Sequence, residues 1–188
     1  TIERSDGRTF SVEFMAQRAI MAKMGEMTTA INEKHHDDGG CDGWEISAHS
    51  ASAPDHEPYQ GRQYSDKEYK RLNSRLQRRI GTLSCKHIAW PIKLGVDSPQ
   101  WTDEQLAEMN AKERETKTYN GNEYNAYSAT QRQRELERRM QKQRANIVNL
   151  KKGEGSKEDI AAAQAKYLKT LYQYRDFSKQ MGLSPQME

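Results

Sequence analysis

Residues 125 to 181 constrain the fold most. Apolar side chains return there every three or four positions without ever broadening into a wide face. Leu136, Met140, Ile147 and Leu150 form one such series, with Gln133 and Gln143 in its gaps. Ile160, Tyr167, Leu171, Tyr174 and Met181 form the second. This spacing predicts two long helices with a narrow, coiled-coil-like seam. "GEG" at 153–155 interrupts them, Ser156 with Asp159 restarts the chain as a helix, and Gly182 and Pro185 stop it. Helices joined by so short a link fold back on one another as an antiparallel hairpin.

The rest of the chain reads as an N-terminal helix and a small centre, with the hairpin expected to pack on that centre or project from it. Val12, Met15, Ala16, Ala19, Ile20, Met24, Met27 and Ile31 predict an amphipathic helix over 12–34, ended by "HHDDGG". "WEISAH" alternates, with Trp44, Ile46 and Ala48 on one side and Glu45, Ser47 and His49 on the other, as in a half-buried strand. Ser65 and Glu68 make a capping box for a helix to about Ile80, with Tyr69, Leu72, Leu76 and Ile80 inward and Gly81 as its stop. "KHIAWPI" reads as a short strand that Pro91 confines to an edge or an end. Thr102 and Gln105 cap a further helix carrying Leu106 and Met109, and "YNGNEY" holds a tight Asn-Gly reversal. The expected class is α+β and predominantly helical: an N-terminal helix, a small β-containing centre, and the long hairpin. The expected division is 1–118 for helix and centre and 119–188 for the hairpin. The chain begins at Thr1 without a methionine, so it also reads as one structural domain of a longer protein.

Composition narrows the function classes. Hydrophobic residues make up 34% and charged residues 30%, which allows only a modest core. Long solvated helices, or surfaces completed by neighbouring subunits, would account for the balance. Cys41 and Cys85 do not make a disulfide framework, so a reducing compartment is expected. No run approaches the roughly 18 apolar residues that a membrane span requires.

The chemistry is concentrated in "SAHSASAPDHEPYQGRQYS", residues 47–65, and in "CKH" at 85–87. His49, Asp55, His56, Cys85 and His87 are five candidate metal ligands in two clusters. Imidazole, thiolate and carboxylate are all zinc donors, and alternate residues such as Cys85 and His87 share a face of an extended segment. The same groups would equally serve as a metal-free, hydrogen-bonded turn stiffened by Pro54 and Pro58. A third reading leaves the five as scattered, unrelated residues, and a further alternative is a hydrolase or nuclease that uses this cluster with a metal or with Cys85 as nucleophile. The sequence shows no oxyanion-hole or phosphate-cradle signature, and a non-enzymatic role is expected. His35 and His36 beside Asp37 and Asp38 read as solvated helix-end residues.

Between Asn125 and Lys152 eight basic residues face two acids. Arg132, Arg134, Arg138, Arg139, Lys142 and Arg144 are the candidate nucleic-acid contacts. With no base-reading motif, such contacts would go to the phosphate backbone. A solvated face paired with acidic segments is the competing reading.

"GWEISAHSASAPDHEPYQGRQYS", "LSCKHIAWP", "YNAYSATQRQRELERRMQKQR" and "FSKQMGLSPQME" together resemble the phage minor capsid protein 2 family of tailed bacteriophages, which is related to the MuF-type minor head proteins. The resemblance covers about residues 10–188. Its most specific pieces are His49, the "PYQGRQYS" turn, Cys85 with His87, and the pattern from Tyr127 to Arg138. It implies a structural protein of the phage head, in the virion and in the bacterial cytoplasm during assembly. Present in few copies near the portal, it would act in head assembly and in DNA packaging or delivery. The partners it implies are portal and capsid proteins; self-association through the hairpin and contact with packaged DNA join that list.

Overall fold

The computed structural model describes residues 2–3, 9–10, 12–82 and 85–185. The chain forms two compact units, Thr1–Asn110 and Ala111–Glu188.

In the first unit, β1 (Ile2–Glu3) and β2 (Thr9–Phe10) pair antiparallel ahead of the long helix α1 (Val12–Gly39). β3 (Gly43–Ile46), β4 (Gln63–Ser65) and β5 (Ala89–Ile92) form an antiparallel sheet in the order β4-β3-β5. Trp44 stands opposite Tyr64 on one neighbour and Pro91 on the other. Pro91 thus lies on an edge strand, where its missing N–H costs the ladder nothing. α2 (Asp66–Arg75) starts from the Ser65–Glu68 capping box, and α3 (Asp103–Arg114) from the reciprocal bonds of Thr102 and Gln105.

Three sequence expectations change here. The helix after Ser65 ends at Arg75 and does not reach Ile80. Leu76 is already extended, and the Ile80 amide donates to the Asn73 side chain at 2.9 Å, which holds the following segment in a loop. β3 is covered on both faces: Glu45 is buried, accepting from Gln63 Nε2 at 2.9 Å and from the Gln100 amide at 3.2 Å. Alternation therefore marks two different packed environments, one apolar and one polar, and not a wet face. α1 runs on through "HHDD" to Gly39, and it packs by the face opposite to its apolar stripe. Asn32 is buried with its Nδ2 donating to the Ala89 carbonyl of β5 at 2.8 Å, while Gly25 lies against the carbonyl of Gly81. Ile20, Met24, Met27 and Ile31 remain 59%, 56%, 64% and 53% exposed.

The second unit follows the sequence reading closely. β6 (Lys117–Tyr119) and β7 (Asn122–Tyr124) form a hairpin through Asn120 and Gly121, at φ 48° and 77°. Asn-Gly tolerates that left-handed pair best. α4 (Ala126–Lys152) begins with Asn125 and Ser128 bonding each other's backbone, and α5 (Lys157–Met181) begins at Ser156 and ends on left-handed Gly182. The helices run antiparallel: Gln133 reaches Ser178, and Glu137 reaches Tyr174. Tyr119, Ala129, Leu136, Met140, Tyr174, Phe177 and Met181 make the core. It is densest next to the β-hairpin and thins along the seam, where Ile147, Leu150 and Ile160 are half-buried.

Candidate functional site

Three features of the first unit bring the central cluster together. β3 delivers the chain into the loop at Ser47, where the Ser47 amide bonds the Ile88 carbonyl at 2.8 Å and the Ile88 amide bonds Ser47 Oγ at 2.9 Å. The loop then tightens on itself, with the His56 and Glu57 amides both donating to the Ala53 carbonyl, before a 3-10 turn at Glu57–Tyr59. Gly61, at φ 68° and with the Leu106 side chain where a Cβ would stand, lets the chain return to β4. The result places His56 over the segment that carries Cys85 and His87.

His56 and His87 are 1% and 2% exposed, and Cys85 is half-buried. Cys85 Sγ lies 3.2 Å from His56 Nδ1 and 3.4 Å from His87 Nδ1. One donor atom from each of the three residues falls within 4.8 Å of the other two. The outer nitrogens of both rings are held. His56 Nε2 donates to the Arg78 carbonyl at 2.7 Å. His87 Nε2 lies 3.1 Å from Gln60 Oε1 and 3.3 Å from Ser52 Oγ. Burial first, then the neighbouring His49 and His56, push the His87 imidazole down to about 3, so it is neutral at ordinary pH.

The other two expected ligands sit at the margin of this trio. The His49 ring stacks on His87 with centroids 4.2 Å apart, its Nδ1 donating to the Ser50 carbonyl at 2.9 Å and its Nε2 buried without a hydrogen-bond partner. Asp55 turns outward: Oδ1 accepts from Arg78 at 2.9 Å, and Oδ2 is 3.6 Å from His56 Nε2. It therefore backs His56 on the side away from Cys85. The residue that sequence reasoning left without a role is Gln60. Its buried carbonyl oxygen serves both His87 and the His49 amide, while its amide nitrogen donates to Asn110. Its place in "PYQGRQYS" was the one available signal.

The remaining candidates lie elsewhere. His36 stacks on Trp44 at 4.7 Å and reaches Asp66 at 2.8 Å, which makes it a packing residue of α1. In the second unit, Arg132 and Arg139 both approach Glu135, at 2.6 and 3.9 Å, while Arg138, Arg139, Lys142 and Arg144 are exposed on α4. Among the described residues no helix is long and apolar enough to cross a membrane.

Comparison with known proteins agrees with the motifs. The family model described as phage minor capsid protein 2 matches residues 1–179. Neither a curated protein nor a solved structure matches the chain. A match over nearly the whole length, carried onto a mostly helical α+β fold, places this chain in the phage minor capsid protein 2 family, as a structural component of a bacteriophage.

Proposed function

We propose that the protein acts in phage head assembly near the portal, and that it docks through the outward stripe of α1. The observation behind this reading is the inverted packing of that helix. Ile20, Met24, Met27 and Ile31 recur at steps of four, three and four and stay outside, while Asn32 faces the sheet and Gly25 faces the loop at Gly81. An apolar seam at this spacing suits a helical or grooved partner, and soluble chains rarely leave such a surface uncovered. The partner in this reading is the portal protein. Replacing Met24 and Met27 together by Glu tests it. The purified variant is expected to keep its circular dichroism and melting temperature, whereas the phage or prophage bearing it yields heads that lack the protein. Incorporation equal to that of the parent would overturn the assignment.

The same reading takes the central cluster as a fastener and not a reactive centre. Hydrolase or nuclease turnover by the parent protein, abolished in both His49→Ala and Cys85→Ala, would replace it with an enzymatic one.

The arginines of α4, Arg138 and Arg139 exposed and Arg132 and Arg134 half-exposed, supply contact with packaged DNA in this proposal, each guanidinium being able to grip a phosphate with two hydrogen bonds. Neutralising Arg132, Arg134, Arg138 and Arg139 together is expected to abolish salt-sensitive duplex binding. Binding unchanged by that substitution excludes the face.

A further inference from the structure

The inner nitrogens of His56 and His87 pose a problem of proton counting. The Arg78 carbonyl can only accept, so His56 carries its proton on Nε2 and keeps a lone pair on Nδ1. Gln60 is oriented by two partners: its oxygen accepts the His49 amide, and its nitrogen donates to Asn110. That oxygen therefore accepts from His87 Nε2 as well, which leaves the lone pair of His87 on Nδ1 too. Both lone pairs point at Cys85 Sγ, from 3.2 and 3.4 Å. A thiol has one hydrogen and can satisfy one of them. Two buried nitrogen lone pairs and a sulfur converging with a single proton among them form a cage that favours a cation.

The geometry agrees. In a tetrahedral zinc site with Zn–S about 2.3 Å and Zn–N about 2.05 Å, neighbouring sulfur and nitrogen ligands stand about 3.5 Å apart. The two observed separations fall within a few tenths of an ångström of that value. The surroundings also match what holds imidazole ligands in place: a carbonyl with a carboxylate behind His56, and an amide oxygen behind His87. Asp55 belongs to this outer layer and not to the donor set. Without a carboxylate among the donors the site disfavours magnesium and calcium, whereas one thiolate with imidazoles suits zinc. Half-buried Cys85 gives the ion a way in.

We propose that His56 Nδ1, Cys85 Sγ and His87 Nδ1 bind one Zn²⁺ and that His49 Nε2, buried and unpartnered beside them, closes the fourth position on rotation of its ring. The ion ties the loop after β3 to the segment leading into β5, and its role is structural. This proposal stands apart from the docking role of α1, so either can fail alone.

The test uses the full chain, freed of metal with a chelator and then titrated with Co²⁺ and with Zn²⁺. One equivalent of Co²⁺ is expected to give a near-ultraviolet sulfur-to-cobalt charge-transfer band with tetrahedral visible bands, both erased by Zn²⁺. Cys85→Ser should lose the charge-transfer band and weaken binding at least 100-fold; His49→Ala should weaken it at least tenfold; Cys41→Ser should change neither. Should Cys85→Ser fail to fold, the unmodified protein answers alone: Zn²⁺ is expected to shield Cys85, and not Cys41, from alkylation read by mass spectrometry. Cobalt bound without the sulfur band, a band that survives Cys85→Ser, or equal alkylation of Cys85 with and without Zn²⁺ would each overturn the site. Affinity unaltered in His49→Ala would remove the fourth ligand and with it the closed structural site.

Discussion

Gly25 lies in the middle of α1, where alanine would ordinarily stabilise the helix by about 1 kcal/mol. Here the added methyl would meet the Gly81 carbonyl, a backbone atom with no rotamer by which to withdraw. Gly81 itself sits at φ 77°, a left-handed conformation that other residues adopt at a cost. The close approach of these two glycines is what brings α1 down onto the segment after α2. Gly25→Ala is therefore expected to lower the melting temperature despite its better propensity; an unchanged or raised value would show that the two segments separate freely. Neither glycine announces this in the sequence, where Gly25 lies unmarked inside a helical pattern and Gly81 reads as a helix stop. The cluster residues were easier to find because His, Asp and Cys are chemically conspicuous. Their partners were not: the Arg78 carbonyl is invisible in a side-chain code, and Gln60 looks like any loop glutamine.

Among the elements, the α4–α5 hairpin shows how far periodicity alone reaches. Leu136, Met140, Tyr174 and Met181 lie in the core as their spacing requires, and Gln133 fills its gap by bonding Ser178 Oγ and the Ser184 carbonyl, each at 3.0 Å. Phe177, however, stood outside the predicted seam and proves fully buried, with Tyr119 and Tyr124 packed edge-on at 5.1 and 5.2 Å. The β6–β7 hairpin creates that environment by laying two tyrosines over the base of the helices, which a helical repeat cannot foretell. Truncation of Phe177 to alanine is expected to cost about 3–5 kcal/mol, measured by denaturant unfolding followed through helical circular dichroism. A loss below about 1 kcal/mol would mean that the aromatic cluster contributes little to the hairpin. α1 is the converse case: its periodicity correctly identifies a helix, but an apolar stripe says only that something will cover it, and not that the covering belongs to the same chain.

For the molecule as a whole, burial makes alkaline pH the informative axis. It raises the Tyr64 and Tyr69 hydroxyls to about 12, with Glu33 adding to the rise at Tyr69 and Arg62 opposing it at Tyr64. Tyr64 also donates to the Tyr59 carbonyl at 3.1 Å, a bond that ionisation would remove. A tyrosine whose folded pKa exceeds its unfolded value near 10 holds its proton more tightly when folded. Its contribution is fully present below pH 10 and is lost as pH climbs through 12. Melting temperature is thus expected to fall across that window. At 25 °C, tyrosinate absorbance should show a late-ionising phase to which burial also commits Tyr119, and that phase should shrink by two tyrosines in Tyr64→Phe and Tyr69→Phe combined. Simultaneous ionisation of all tyrosines near pH 10 would contradict the burial.

The amino-acid sequence by itself determined the helices, most of their caps, the edge position of Pro91 and the family, because these depend on local spacing, on side chains bonding their own backbone, and on motifs of consecutive residues. Tertiary structure alone decided three things: which side of α1 faces the sheet, why Glu45 is buried, and which nitrogen of each imidazole faces Cys85. Each of these depends on a partner far along the chain. A carbonyl or amide oxygen arriving from a distant segment fixes a proton on one ring nitrogen and so sets the direction of the lone pair, and no local pattern of residues encodes that arrival.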